Sequence, residues 1–305
     1  MPPNLNRAVM GSAPADIQRI VDRYLRSEAS APIVLMELVQ LTEDTEALAR
    51  ALPTLTGEPT KLDELRRHFA QNEAGCRTIV RMIRQRLDSP EVAGNAEEGI
   101  ERSRKLFDAS VAESEESSVA LYSLGSPELL AAATDEVIGV LEDWGVVGRD
   151  RDALEIGCGI ARLMVPLCSR LRSVVGTDVS SGMIAAARRR LEGYSNASAR
   201  LTTGQDLSEF GSESMDLVYS VDAFPYLVLS GQALVECHFR EIRRVLRPGG
   251  DFVLFNYAYG RTREDANREV LAFARRAELE VVRADESPFR IWNGIGWLLR
   301  RGASW

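Results

Sequence analysis

The sequence predicts an α/β protein: a mostly parallel seven-stranded sheet covered by helices on both faces, preceded by an all-helical region. Three observations carry that prediction. Up to about residue 110 the apolar residues recur at helical spacing only. From Ser126 onward, apolar runs of strand length alternate with amphipathic helices, the pattern of a parallel sheet with both faces covered. The last two runs are joined by a short link through Ser287 and Pro288, with no room for a crossover helix, so they should pair as an antiparallel hairpin.

The bulk properties narrow the function. The chain has 305 residues, which fits two domains. Hydrophobic residues make up 45% and charged residues 27%, as in a globular protein that needs no staples. The net charge of −8 opposes approach to a polyphosphate and argues against a nucleic-acid partner. Cys76, Cys158, Cys168 and Cys237 follow no C-x-x-C pattern, and His68 and His238 are the only histidines. Neither a structural zinc site nor a disulfide framework is indicated, and no metal is expected. The N-terminus lacks a basic start followed by an apolar run, and the most apolar stretch, Ala31 to Val39, is short and contains Glu37. A cytoplasmic protein with no membrane partner is the expectation.

The helical region divides as follows. Ile17, Ile20, Val21, Tyr24 and Leu25 form one helix face after Pro14. A second helix covers Pro32 to Gln40. A third follows Thr42 as cap and ends at Pro53. A fourth runs from Leu62 to Leu87, with Gly75 as a break and with Cys76, Ile79, Val80, Ile83 and Leu87 as its apolar stripe. Ser89 to Ser118, polar and punctuated by Pro90, Gly94 and Gly99, reads as a linker. The division is therefore 1–110 for the helical domain and 111–305 for the α/β domain.

In the second region a helix carrying Leu130, Ala133, Val137, Ile138, Leu141 and Trp144 comes first. The strands are expected at Ala153–Ile156, Ser173–Thr177, Ala199–Thr203, Met215–Ser220, Asp251–Tyr257, Glu278–Arg283 and Arg290–Arg300. The intervening helices are expected at Ala161–Leu171, Ser181–Leu191, Gln232–Leu246 and Arg263–Ala277.

Chemistry is concentrated at the ends of three successive strands. Leu154 to Arg162 runs from a buried strand into a turn at Gly157 and Gly159, where a ligand can approach bare backbone and meet free N–H groups. Arg162 stands where a dinucleotide fingerprint needs its third glycine, which weighs against a nicotinamide cofactor. Asp178 ends the next strand, where a carboxylate can accept from a ribose diol; the competing reading is an N-cap for the following helix. Asp206 and Leu207 follow the third strand, where an acid can accept from an adenine amine and the leucine can pack on the base. All three lie at the carboxyl edge of the sheet, where open α/β sheets bind ligands.

These segments resemble the class I S-adenosylmethionine-dependent methyltransferases of the broad small-molecule group. The resemblance rests on LEIGCGIARL, GTDVSSGMIAAARRR, TTGQDLSEF, SESMDLVYSVDAFPYL, REIRRVLRPGG and PFRIWNGIGWLLRR, which fall in the family order between Tyr122 and Arg300. It implies a Rossmann-like seven-stranded sheet with the last strand antiparallel, and S-adenosylmethionine as cofactor. It implies that Glu155, Gly157 and Gly159 shape the methionine end, that Asp178 holds the ribose, and that Asp206 and Leu207 meet the adenine. Ser220 would lie near the amino-acid part, and Tyr122 could close over the cofactor. One departure is Ala161, where many relatives carry glycine. Met1 to Ser110 resembles no family.

Methyl transfer is an in-line displacement, so positioning and exclusion of water are the protein's main tasks. Asp222, after the fourth strand, is the candidate general base, against the ordinary role of a turn acid. Phe224 and Tyr226 are expected to line the acceptor pocket. His238, on an apolar helix face, reads as a buried structural histidine, and Cys158 as a small space-filler. The function expected is methyl transfer to an O or N atom of a small-molecule acceptor. A non-catalytic S-adenosylmethionine-binding or scaffold protein is the alternative. The N-terminal helices would serve as lid, acceptor pocket or homodimer contact.

Overall fold

The computed structural model describes residues 14–85 and 93–303. Its helical part begins with α1 (Pro14–Leu25), α2 (Ala31–Thr42), α3 (Thr45–Ala51) and α4 (Pro59–Gln85). Val34, Leu35 and Leu38 of α2 meet Val21 of α1, Leu48 of α3 and Leu65 and Ile79 of α4 in one buried cluster. Ser30 caps α2 by accepting from the Ile33 N–H. The cap of α3 is Asp44, which accepts from the N–H groups of Glu46 and Ala47. Thr42, expected in that role, instead donates its hydroxyl to the Leu38 carbonyl at 2.8 Å. Within the first turn an acid that accepts two N–H groups outcompetes a threonine that satisfies its own helix.

The break in α4 falls at Asn72 (φ −116°), not at Gly75. Gly75 has another use: a Cβ there would sit 1.7 Å from the Leu124 carbonyl oxygen. It is the point where α4 touches the chain leading into the α/β part. Arg86 and Leu87, the expected end of this helix, lie outside the described residues, as do Ser89 to Val92 at the start of the expected linker.

The rest of that linker is helical. α5 (Ala96–Glu113) is capped by Asn95 and α6 (Glu115–Val119) by Ser114. Composition misled here because small residues do structural work. Gly99 lets α5 press against Ser230, and Ser103 and Ser110 return their hydroxyls to carbonyls four residues back. The division expected near residue 110 thus falls within α5.

The α/β part opens with α7 (Pro127–Asp143). Its strands are β1 (Asp152–Ile156), β2 (Ser173–Asp178), β3 (Ala197–Leu201), β4 (Met215–Val221), β5 (Leu246–Phe255), β6 (Leu279–Glu286) and β7 (Gly296–Arg301). They form one sheet in the order β3-β2-β1-β4-β5-β7-β6. β1 to β5 are parallel, and β7 runs antiparallel to both neighbours. The predicted architecture is therefore the one observed. Between the strands lie α8 (Met164–Leu167), α9 (Ser181–Arg190), α10 (Phe224–Leu229), α11 (Gln232–Val245) and α12 (Arg263–Arg276). One face of the sheet buries α7 and α9, and the other buries α11 and α12.

Three differences from the expected boundaries bear on the site. The helix after β1 shrinks to α8, because the glycine turn continues through Ala161 at φ +61°. β5 begins at Leu246, with a register shift between Met215 and Leu217. Residues 290–295 are a loop that crosses above the sheet before β7. That loop is tied to α2 by the Ser30 hydroxyl, which donates to the Ile291 carbonyl at 2.6 Å. Among the described residues no helix is long and apolar enough to cross a membrane.

The close approach at Gly75 yields a test of how the helical part is seated. Gly75→Ala should destabilise the protein by about 1–3 kcal/mol, the usual cost of overpacking, as measured by urea unfolding. Unchanged stability would mean that α4 does not rest on Leu124.

Candidate active site

The carboxyl ends of β1, β2 and β4 converge on a cavity of about 620 Å³. Its floor is the glycine turn after β1. Gly157 (φ +74°) and Gly159 (φ +52°) both occupy the left-handed region. A Cβ on Gly157 would lie 2.3 Å from that of Ala223, and one on Gly159 would lie 2.7 Å from Val119. Backbone shape and close approach therefore both require glycine.

The Asp178 side chain locks this turn. One of its oxygens accepts the Gly159 N–H at 3.0 Å and the other accepts the Ser180 N–H at 2.9 Å. The cap of α9 is Ser180, which accepts from Met183, so the N-cap reading of Asp178 does not hold. Burial pushes the Asp178 carboxyl up to about 6. A carboxylate offers about four acceptor sites, which leaves capacity for a diol. Glu155 is 2% exposed, accepts from the Tyr219 hydroxyl at 2.9 Å, and is pushed by burial up to about 8.

Asp206 and Leu207 line the same cavity. The Asp206 Oδ1 accepts from both the N–H and the hydroxyl of Ser208, which holds its carboxyl below the usual range. His238 also reaches the cavity, although it is 2% exposed. Its Nδ1 lies 2.9 Å from the Leu234 carbonyl, which can only accept, so this nitrogen carries the proton. Burial lowers its pKa, so the ring stays neutral with Nε2 as an acceptor.

Asp222 enters from the end of β4 with φ +62°, and Asn256 from the end of β5 with φ +64°. Such strain in non-glycine residues is held in place only by its surroundings. The Asp222 Oδ1 accepts from the Asn256 amide and, at 2.7 Å, from the Tyr259 hydroxyl. Burial pushes this carboxyl up to about 6. Tyr226 stands beside it, edge-on to Tyr259 at 5.9 Å and to Phe107 of α5 at 4.7 Å. Tyr122 lines the opposite wall and stacks on Trp292 at 6.1 Å.

Two expected site residues are elsewhere. Ser220 is fully buried and donates its hydroxyl to the Ile156 carbonyl at 3.0 Å, tying β4 to β1. Phe224 is fully buried among Phe239 and Phe252, each 5.7 Å away. It begins α10, whose turn sends it toward α11 and away from the cavity. Sequence reasoning offered the N-terminal helices as a lid or pocket but named none of the residues that form the roof, Ile33, Met36 and Gln40 of α2 and Ile100, Ser103 and Phe107 of α5. It also missed Asn256 and Tyr259. Their position just after a parallel strand was a usable signal, because that edge carries ligands.

Comparison with known proteins agrees with this geometry. Residues 154–254 match the methyltransferase domain family. The matched segment, with the seven-stranded sheet around it, supports a methyltransferase domain of the class I S-adenosylmethionine-dependent kind. Over 116 residues it is 36% identical to an uncharacterized methyltransferase of Schizosaccharomyces pombe, covering 37% of this chain and 42% of that one. Over 118 residues it is 30% identical to a probable S-adenosylmethionine-dependent methyltransferase of Saccharomyces cerevisiae, covering 36% of this chain and 37% of that one. The chain thus spans less than half the length of these relatives. Among solved structures, Haemonchus contortus phosphoethanolamine N-methyltransferase 1, in complex with phosphoethanolamine and S-adenosylhomocysteine, shares the fold. Its TM-score is 0.52 at 17% identity, over 69% of this chain and 50% of that one.

The methyltransferase domain's cofactor is S-adenosylmethionine, and the cavity fits it. The volume lies in the range of small-molecule sites, the floor is bare backbone, and buried carboxyls face a group that carries hydroxyls, amines and a positive sulfur. Among the described residues no group of three His, Cys, Asp or Glu could hold a metal ion.

The buried acid Glu155 has a testable pH signature. Its folded pKa lies above its ordinary value, so the folded protein retains a proton that the unfolded chain releases between about pH 4.5 and 8. Its contribution to stability therefore falls as pH rises through that window. Glu155→Gln removes the titration, so the variant should gain roughly 1–3 kcal/mol on wild type between about pH 5 and about pH 8. Urea unfolding at both pH values measures this. A constant difference would show that Glu155 is not buried in its acid form.

Proposed function

We propose that this protein transfers the methyl group of S-adenosylmethionine to an O or N atom of a small-molecule acceptor, with Asp222 as the general base. The carrying observation is that Asp222 opens into the same cavity as the glycine turn and Asp178. The cofactor supplies an activated methyl on a sulfonium. Gly157 and Gly159 admit it to the backbone, Asp178 accepts from its ribose, and Asp206 with Leu207 meets its adenine. Tyr122 covers the methionine end.

Asp222 suits the base role in geometry and in charge. Asn256 and Tyr259 occupy one oxygen and leave the other for an acceptor proton. A carboxyl raised to about 6 is ionised at neutral pH and is a better base than a solvated aspartate. Tyr226 would line the acceptor side. α2 and α5 supply the roof, which keeps water from the reacting atoms. This supports a lid and pocket role for the N-terminal helices. An open chamber beside Asp222 supports turnover over a scaffold role.

Isothermal titration with S-adenosylhomocysteine is the primary test, with NAD as control. Micromolar binding of the first alone is expected. Asp178→Ala should weaken that binding by roughly 1–3 kcal/mol, the cost of stranding hydrogen-bonding groups. Asp222→Asn should bind S-adenosylhomocysteine like the wild type. In a screen of amine and hydroxyl acceptors it should turn over about 10²–10⁴-fold more slowly. Equal rates for wild type and Asp222→Asn would remove Asp222 from the chemistry.

A further inference from the structure

The cavity wall holds more acid than base. Glu155, Asp178, Asp206 and Asp222 line it, and among the described residues Arg162 is the one Lys or Arg that does. The Arg162 guanidinium is partly buried and set against two neutral side chains. It donates to the Thr134 hydroxyl at 3.1 Å, and the Tyr122 hydroxyl lies within reach of its charge. Among the described residues it makes no ion pair with a carboxylate; Glu155 and Asp222 feel its charge only through space. Other partly buried arginines are paired, as Arg151 is with Asp251 at 2.8 Å and Arg190 with Glu115 at 2.9 Å.

A guanidinium is a planar fork of donors matched to a carboxylate. Holding one against a cavity with a hydroxyl as its hydrogen-bond partner leaves it without a paired carboxylate. The fork is also prepared for use. Thr134 is anchored through its own bond to the Leu130 carbonyl at 2.7 Å, and Tyr122 is stacked on Trp292. Thr134 thus holds the guanidinium beside a fixed Tyr122 before a ligand arrives, which lowers the cost of ordering it.

We propose that Arg162, oriented by Thr134 and Tyr122, is a carboxylate-binding clamp in the cavity wall. The proposal rests on the methyl-transfer reading. The carboxylate has two available sources, the amino-acid end of the cofactor and an acid group on the acceptor. One fork holds one carboxylate in bidentate fashion. If the cofactor fills it, the chamber around Asp222, Asn256, Tyr226 and Tyr259 retains no cation. The acceptor is then an amine or an uncharged hydroxyl compound. If the acceptor fills it, the acceptor is an acid.

The test uses the full chain and three probes: S-adenosylhomocysteine, 5′-methylthioadenosine, and benzoate added to protein saturated with S-adenosylhomocysteine. Methylthioadenosine keeps the adenosyl thioether and lacks the amino-acid end. Arg162→Gln is expected to weaken S-adenosylhomocysteine at least about tenfold while leaving methylthioadenosine within about twofold, with Arg162→Lys in between. Retained methylthioadenosine binding shows that the variant is folded. That pattern assigns the clamp to the cofactor. Unchanged S-adenosylhomocysteine binding with loss of a wild-type benzoate signal assigns it to the acceptor. The clamp is overturned if Arg162→Gln leaves all three probes unchanged, or weakens both nucleosides equally. Wild-type protein that binds neither nucleoside would defeat the methyl-transfer reading itself, and the clamp with it.

Discussion

The bond from the Gly159 N–H to the Asp178 carboxylate is the constraint on which the site depends. It joins the turn after β1 to the end of β2, so two parallel strands present one rigid edge. The glycine turn cannot carry side chains, because Ala223 and Val119 already fill the space. Its shape must therefore come from its hydrogen bonds. Two run from Gly157 and Cys158 to the Thr177 carbonyl and one to Asp178. A bare backbone surface at the carboxyl edge of a sheet is what a cofactor needs, and here β2 holds it open.

That arrangement requires buried acids, and each is placed to tolerate burial in its own way. Asp178 is compensated by backbone N–H groups, so it can remain an acceptor. Glu155 has only a tyrosine hydroxyl and the distant charge of Arg162, and burial favours its neutral form. Asp222 lies between these cases, with two neutral donors on one oxygen. Within one cavity Glu155, with the weakest hydrogen-bond support, is thus pushed up to about 8, while Asp178 and Asp222, each accepting two bonds, reach only about 6. The proposed division of labour between Asp178 and Asp222 therefore rests on their partners and not on their acidity: backbone N–H groups hold both Asp178 oxygens, whereas the Asn256 amide and the Tyr259 hydroxyl share one Asp222 oxygen.

The helical part completes what the sheet leaves open. Asp108 of α5 accepts from the Ser180 hydroxyl at 2.6 Å and from the Gly182 N–H at 2.9 Å. Ser180 in turn donates its N–H to Asp178. The roof is therefore bonded to the residue that organises the floor. On the other side Ile33 of α2 packs into the core of the α/β part while its neighbours pack among the helices. One helix shared by two cores transmits the position of each to the other.

How much of this was legible depended on the range of the interaction that decides it. Strand and helix periods, the antiparallel hairpin and the glycine turn are local patterns, and the chain states them directly. The positions of Asp178, Asp206 and Asp222 followed from one rule about strand ends, which needs only strand order. Ser220 and Phe224 satisfied the same rule, yet they turned into the core. Which way a residue faces just past a strand depends on the next turn, and α10 was not visible in the sequence. The linker reading failed over residues 93–118 because polarity and small size signal disorder in an isolated segment but close packing when a partner surface exists. By itself the sequence determined the fold, the cofactor edge and the acids along it. The tertiary structure alone decided that α2 and α5 roof the cavity, that Asn256 and Tyr259 orient Asp222, and that Arg162 pairs with no carboxylate among the described residues. Those contacts join residues far apart in the chain, and no local pattern encodes a distance across a fold.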